Sequence, residues 1–232
     1  MNSTVKSGAF AAIAVTALTF ASPALAEESK VTETAFIFNS LSFLIHGFMV
    51  MLMAAGFAML EAGMVRTKNV ATMCVKNIAL YSIAGILYYA VGYNLMYQGV
   101  DGGFMGTFAP WGIDDSAMAK GDFSGNYSAS SDWFFQMVFV ATAASIVSGT
   151  VAERIKLWPF LAFVVVLTGV IYPIQGSWQW GGGWLSEMGF ADFAGSTLVH
   201  STGGWAALTG AIILGARKGK FTKTGAVHPM PG

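Results

Sequence analysis

The sequence predicts an all-α, polytopic membrane protein built on five transmembrane helices. Three observations carry this. Only 10% of the 232 residues are charged and 55% are apolar, and the mean hydropathy is +0.60. A water-soluble domain carries about a quarter charged residues, so a bilayer suits this surface better than water. Five stretches approach or exceed the roughly 20 apolar residues needed to cross a hydrocarbon core. Finally, the basic residues gather in alternate connections between those stretches.

The N-terminus reads as a secretory signal. Lys6 supplies a positive start, Ala9 to Ala21 is a short apolar run, and Ala24-Leu25-Ala26 is a small-x-small cleavage site before Glu27 and Glu28. That order predicts a cleaved signal peptide over 1–26; an uncleaved first helix is the other reading. The mature chain, 27–232, therefore begins outside the cytoplasm.

The spans are expected at about Phe36–Leu60, Val70–Tyr97, Trp133–Val151, Leu157–Ile174 and Ser196–Leu214. Arg66 and Lys68 lie between spans one and two, and Arg154 and Lys156 between three and four. Arg217, Lys218, Lys220 and Lys223 follow span five. The other side holds Lys30, Lys120 and most of the acids. The positive-inside rule then places the N-terminus outside and the C-terminus inside. Asp101 to Ser131, rich in Gly, Asp and Ser, reads as an external loop. Gly176 to Phe190 is a shorter external connection holding Trp178, Trp180, Trp184 and Gly181-Gly182-Gly183; Trp178 and Trp184 fit the interfacial belt. An odd number of spans suits a truncated inverted-repeat transporter, because inversion makes a second half enter from the opposite side.

Several function classes drop out. The formal net charge is zero, which leaves no electrostatic case for nucleic acid. The single cysteine, Cys74, excludes an intramolecular disulfide and a Cys-based metal cluster. Gly181-Gly182-Gly183 lacks the Lys-Ser/Thr ending of a phosphate loop. No paired catalytic groups are visible, so neither enzymatic activity, a cofactor nor a metal is expected.

A few residues carry chemistry. His200 lies inside span five, where an ionisable group is costly and points to function. A neutral imidazole offers one donor and one acceptor, enough to pass a proton or hold a polar solute. A structural histidine bonded to a neighbouring helix is the alternative. Asp192 stands eight residues earlier, about 12 Å along the axis if the helix reached that far. It reads as an N-cap, as a cation-attracting acceptor at a pore mouth, or as both. Phe135 and Phe139 share one helix face, which fits packing as well as a site. Trp180 could hold a cation on its ring. His46, without a visible polar partner, reads as packing. Glu61 and Lys76 are expected to pair with each other or with Arg66, and Glu153-Arg154 reads as a cytoplasmic turn.

Together these residues resemble the ammonium transporter (Amt/Mep/Rh) family. The most specific match is Asp192-Phe193-Ala194-Gly195-Ser196-Thr197-Leu198-Val199-His200, continuing through Leu214-Gly215-Ala216-Arg217. Gly63 to Val70, Ala152 to Ile155 and Trp180 to Gly183 support it in family order. The resemblance implies the first of two inverted halves of an eleven-helix fold, assembled as a homotrimer with a pore in each subunit. It implies an external ammonium recruitment site at Trp180, with Phe139 as outer gate and Phe135 beside it. It makes Asp192 the acid near the mouth, regarded as structural and needed for transport, and His200 the first of two pore histidines. Ammonium or ammonia would be the substrate, the cell (inner) membrane the location and nitrogen uptake the purpose. A PII-type signalling protein would be a regulatory partner. The second histidine, the inner gate and a recruitment-site serine belong to helices beyond this chain. A sensor of the same fold and a non-transporting membrane fragment remain alternatives.

Overall fold

The computed structural model describes residues 33–110 and 112–230; the expected signal peptide lies outside them. Among the described residues all regular elements are helical, apart from one isolated antiparallel bridge between Phe221 and Val227. Five helices are long and apolar enough to cross a membrane. They are α1 (Glu33–Met64), α2 (Thr67–Tyr97), α4 (Ala129–Thr150), α5 (Leu157–Ser177) and α7 (Ser196–Leu214). Two short helices, α3 (Ser116–Ala119) and α6 (Trp184–Glu187), lie in the connections.

Four spans overrun their expected ends: α2 starts three residues early, at Thr67, and the other three have local reasons. Glu61 does not stop α1, because Lys76 neutralises it inside the bundle, Nζ to Oε2 3.2 Å. α4 starts before Trp133 because Ser128 caps it. The Ser128 Oγ accepts from Ser131 N at 3.1 Å, and Asp115 accepts from Ala129 N at 2.7 Å and Ser130 N at 3.1 Å. These acceptors satisfy N–H groups that a helix start leaves free. α5 continues through Pro173 to Ser177 by winding a π turn over Leu167–Ile171. Proline supplies no N–H for the helical ladder, and a wider turn is one way to absorb that. α2 carries a matching π turn at Tyr88–Gly92, packed against the one in α5.

α4 is the central helix: α1, α2 and α7 all pack on it. Its inner half reads Ala141-Thr142-Ala143-Ala144-Ser145, and all five are buried. Small residues let helices approach closely where the bilayer offers no hydrophobic push. The hydroxyls return to their own helix, Thr142 to Val138 O at 2.8 Å and Ser145 to Ala141 O at 3.0 Å. No polar atom is then stranded. A Cβ on Gly203 of α7 would lie 2.9 Å from the Ala143 carbonyl oxygen and 3.0 Å from Ile146 Cβ. Large apolar side chains of α1 and α7 point outward, among them Phe38, Leu52, Met59, Ile212 and Ile213.

At the basic end one acid gathers three connections. Glu153 holds a left-handed backbone, φ 60°, and its side chain is buried. It accepts from Arg66 Nε at 3.0 Å, Arg66 N at 3.1 Å, Asn69 Nδ2, and Arg217 Nη1 at 3.4 Å. Arg154 reaches Gly215 O at 2.8 Å. Glu153-Arg154 is thus the expected turn and also a clamp. Burial works to raise the Glu153 carboxyl, but the bonds from Arg66 and Asn69 outweigh it and hold it below its ordinary value.

The α4–α7 contact predicts unequal costs for neighbouring glycines. Gly203→Ala should destabilise the protein by about 1–3 kcal/mol through overpacking. Gly204→Ala meets nothing within 4 Å and should be neutral or stabilising by up to about 1 kcal/mol. Thermal unfolding in detergent compares them.

Candidate functional site

The Asp192 carboxylate builds the site. Oδ1 accepts from Gly195 N and Ser196 N, both at 2.9 Å. Oδ2 accepts from Thr197 N at 2.7 Å and Leu198 N at 2.8 Å. The first turn of α7 has no earlier carbonyls to serve these N–H groups, and one side chain serves four. The expected cap is therefore present, in a stronger form than a single bond. The expected helical rise down to His200 is not, because the chain is non-helical up to the left-handed Gly195, φ 81°. A Cβ there would sit 2.7 Å from Val199 Cγ2 and 3.2 Å from Trp180 Cη2. Burial works to raise the Asp192 carboxyl; the four N–H donors outweigh it and hold it below its ordinary value.

The same turn anchors the aromatic residues. Trp180 Nε1–H donates to the Asp192 backbone oxygen at 2.7 Å. Its ring meets Phe139 edge to face, centroids 5.7 Å apart. Phe139 meets Phe135 at 5.1 Å, Phe135 meets Phe43 at 5.1 Å, and Phe43 meets Tyr127 at 4.6 Å. Trp180 is held from behind because Gly181 packs its backbone against the Met96 carbonyl, leaving no room for a Cβ. Trp178, assigned above to the interface, donates Nε1–H to Phe104 O at 2.7 Å and so pins the long loop.

His200 follows directly below. Its Nδ1 lies 3.3 Å from Gly195 O. A carbonyl oxygen only accepts, so in the neutral ring this contact puts the proton on Nδ1 and the lone pair on Nε2. The π winding of Ser196–Ser201 also brings the Val199 and His200 N–H groups to Gly195 O, at 2.9 and 3.0 Å. Thr202 Oγ1 bonds Gln175 Oε1 at 2.8 Å and fixes this turn to α5.

Trp180, Phe139, Phe135 and Asp192 thus fall into one connected cluster, and His200 shares the clamped turn. Phe43 and Tyr127 extend the aromatic row; no motif marked them. His46 has a partner after all: its Nδ1 lies 2.7 Å from Ser42 O. Glu61 and Lys76 pair with each other, while Arg66 goes to Glu153.

A model of the Ammonium Transporter Family matches residues 41–231. The chain belongs to that family. It is 44% identical over 203 residues to the ammonium transporter Amt2 of Archaeoglobus fulgidus, covering 82% of this chain and 41% of that protein. It is 35% identical over 170 residues to an ammonium transporter of Bacillus subtilis, covering 73% and 42%. Among solved structures it is similar to a sensor Amt protein, with TM-score 0.76, 35% identity and coverage of 85% and 49%. It is also similar to Candida albicans Mep2, with TM-score 0.67, 26% identity and coverage of 80% and 40%. The chain spans less than half the length of these relatives. Within the family it is a multi-pass membrane protein, and its relatives are named as transporters.

The clamp predicts an acid limb in stability. A carboxyl whose folded value is depressed contributes fully above its unfolded value, about 3.9. That contribution falls away as the pH drops through the folded value. Thermal unfolding of the wild type should therefore be insensitive to this group between about pH 5 and 8 and weaken below about pH 4. Asp192→Asn should lower neutral-pH stability by about 2 kcal/mol, since two N–H donors lose their acceptor, and should flatten the acid limb.

Proposed function

We propose that this chain forms the first half of an ammonium-conducting pore, recruiting ammonium at its external aromatic site and passing it to His200. One observation carries the reading: the Trp180–Phe139–Phe135 row and His200 are hung from the same Asp192 turn. Aromatic faces attract a cation through the ring quadrupole. Ammonium and potassium are alike in size and charge, so charge and width separate them poorly. An apolar passage beyond the row penalises any bare ion. Ammonium escapes that penalty by giving up a proton, which potassium cannot do. The His200 Nε2 lone pair is the acceptor this chain offers, and neutral ammonia then moves on. Asp192 acts in this scheme as a positioning residue. All four of its bonds go to backbone N–H groups, so it shapes the mouth and adds a buried negative charge behind Trp180.

In the cell the chain is placed in the inner membrane with its N-terminus outside after removal of 1–26, and with residues 27–232 as the first half of the transporter domain. It works in a homotrimer serving nitrogen uptake, with its basic end facing a PII-type signalling protein. A sensor role is the second reading; it is favoured by the likeness to a structure called a sensor Amt protein.

Trp180→Leu keeps an apolar side chain but removes the strongest cation-binding face, together with the indole bond to Asp192 O. A cation–π contact is worth about 0.5–2 kcal/mol, and each 1.4 kcal/mol is tenfold in affinity. The half-saturating concentration for methylammonium uptake by the full-length protein should rise roughly 3- to 30-fold, with little change at saturation. An unchanged half-saturation would remove Trp180 from the site.

A further inference from the structure

Glu61 of α1 is buried near the basic end of the bundle, 2% exposed, and its bonding is lopsided. Oε2 accepts from Ser148 Oγ at 2.8 Å and from Lys76 Nζ at 3.2 Å. Oε1 has no hydrogen-bond partner. Lys76 is fully engaged: it also donates to Ser148 O at 2.8 Å and lies over the Phe160 ring at 5.0 Å. Three other acids with buried side chains use both oxygens: Asp132 accepts from Tyr93 Oη on Oδ2 at 2.8 Å and from Gln136 Nε2 on Oδ1 at 3.5 Å. Asp192 takes two donors on each, and Glu153 takes donors on Oε1 and Oε2. An unpaired charged oxygen out of water is costly, and an acid kept that way inside a span is a functional candidate.

The free oxygen has a place to act. Glu61 lines a cavity of about 400 Å³ together with Phe57, Ile146, Gly149, Arg154 and Arg217. Ile146, which lines the cavity, also packs on Gly203 of α7, three residues after His200. Gly149 adds no side chain beside the carboxylate; a Cβ there would make ordinary contacts with it, 3.6 Å from Glu61 Cγ and 3.9 Å from Oε1. Arg154 and Arg217 make the cavity a poor home for a resident cation. The same positive charges favour the carboxylate over the acid, so a proton on Oε1 is held only in passing and is readily given up.

We propose that Glu61 is a proton-accepting station beyond His200, with Oε1 taking the proton that ammonium gives up and returning it to water in the cavity. This rests on the pore reading above. The proton bonds to Oε1 and turns the carboxylate into a carboxylic acid. Lys76 stays an ammonium on Ser148 O and Oε2 throughout. Loss of the proton to cavity water then restores the ion pair, with nothing oxidised or reduced.

The test compares ammonium-evoked current with ammonia entry, read as internal alkalinisation, for the full-length protein in proteoliposomes. Glu61→Gln alone would leave Lys76 permanently without its counter-ion, a state the proton cycle passes through only briefly, so the informative variant is Glu61→Gln with Lys76→Met, which removes both buried charges. If Glu61 carries protons, the current falls at least about tenfold, as on losing a positioned proton acceptor, while ammonia entry persists. Gly149→Ala, with the ion pair intact, should lower current in the same selective way. If the paired variant keeps its current, the pair is only structural and the proposal is wrong. If current and entry fall together, Glu61 gates the pore instead, and the proposal is again wrong. If the paired variant does not fold, Gly149→Ala decides alone. A wild type without current would sink the pore reading itself.

Discussion

Four backbone N–H groups converge on the carboxylate of Asp192, and what matters at the mouth of this bundle depends on that convergence. A helix that begins close to a bilayer exposes donors that neither lipid nor an earlier turn can serve. A charged acceptor bonds each donor more strongly than a neutral one. With its start held, α7 winds a π turn that brings Nδ1 of His200 back to Gly195 O. The carbonyl of Asp192 holds the Trp180 indole. One residue therefore sets both the aromatic row and His200. Substituting it should disturb both without removing a direct solute contact.

Elsewhere the membrane makes charge expensive, and the structure answers by pairing. Glu153 is buried at the basic end, where it ties the connection after α1, the turn after α4 and the tail after α7. Glu61 and Lys76 cross between α1 and α2 inside the bundle. Ser and Thr hydroxyls on α4 return to carbonyls of their own helix, so the small residues that permit close packing add no polar debt. Against this background the free Oε1 of Glu61 stands out as the carboxylate oxygen whose pairing is incomplete.

Much of this was legible in the sequence. Low charge, apolar length and alternating basic connections are bulk properties that the bilayer imposes, and they found five spans within a few residues. Asp192 and His200 were legible because an acid at a helix start and an ionisable group inside a span are unusual for stated physical reasons. What was not legible depends on contacts between distant segments. Phe43 and Tyr127 join the aromatic row only because α1 and the long loop pack beside α4. Trp178 bonds Phe104 O, a partner 74 residues away that its place in the sequence does not reveal. Glu153 looked like a turn residue, and its burial appears only once Arg66 and Arg217 arrive from far along the chain. The span ends shifted where a local charge or proline was neutralised by a neighbour that periodicity does not reveal.

The central claim is that Asp192 organises a selective ammonium path without itself binding the solute. The most direct measurement is the ammonium-evoked current of full-length protein in proteoliposomes, beside Asp192→Ala and with potassium as control. The account predicts a current with ammonium, none with potassium, and its loss in a variant that still inserts and assembles. An undiminished current in Asp192→Ala, or an equal current with potassium, would contradict it.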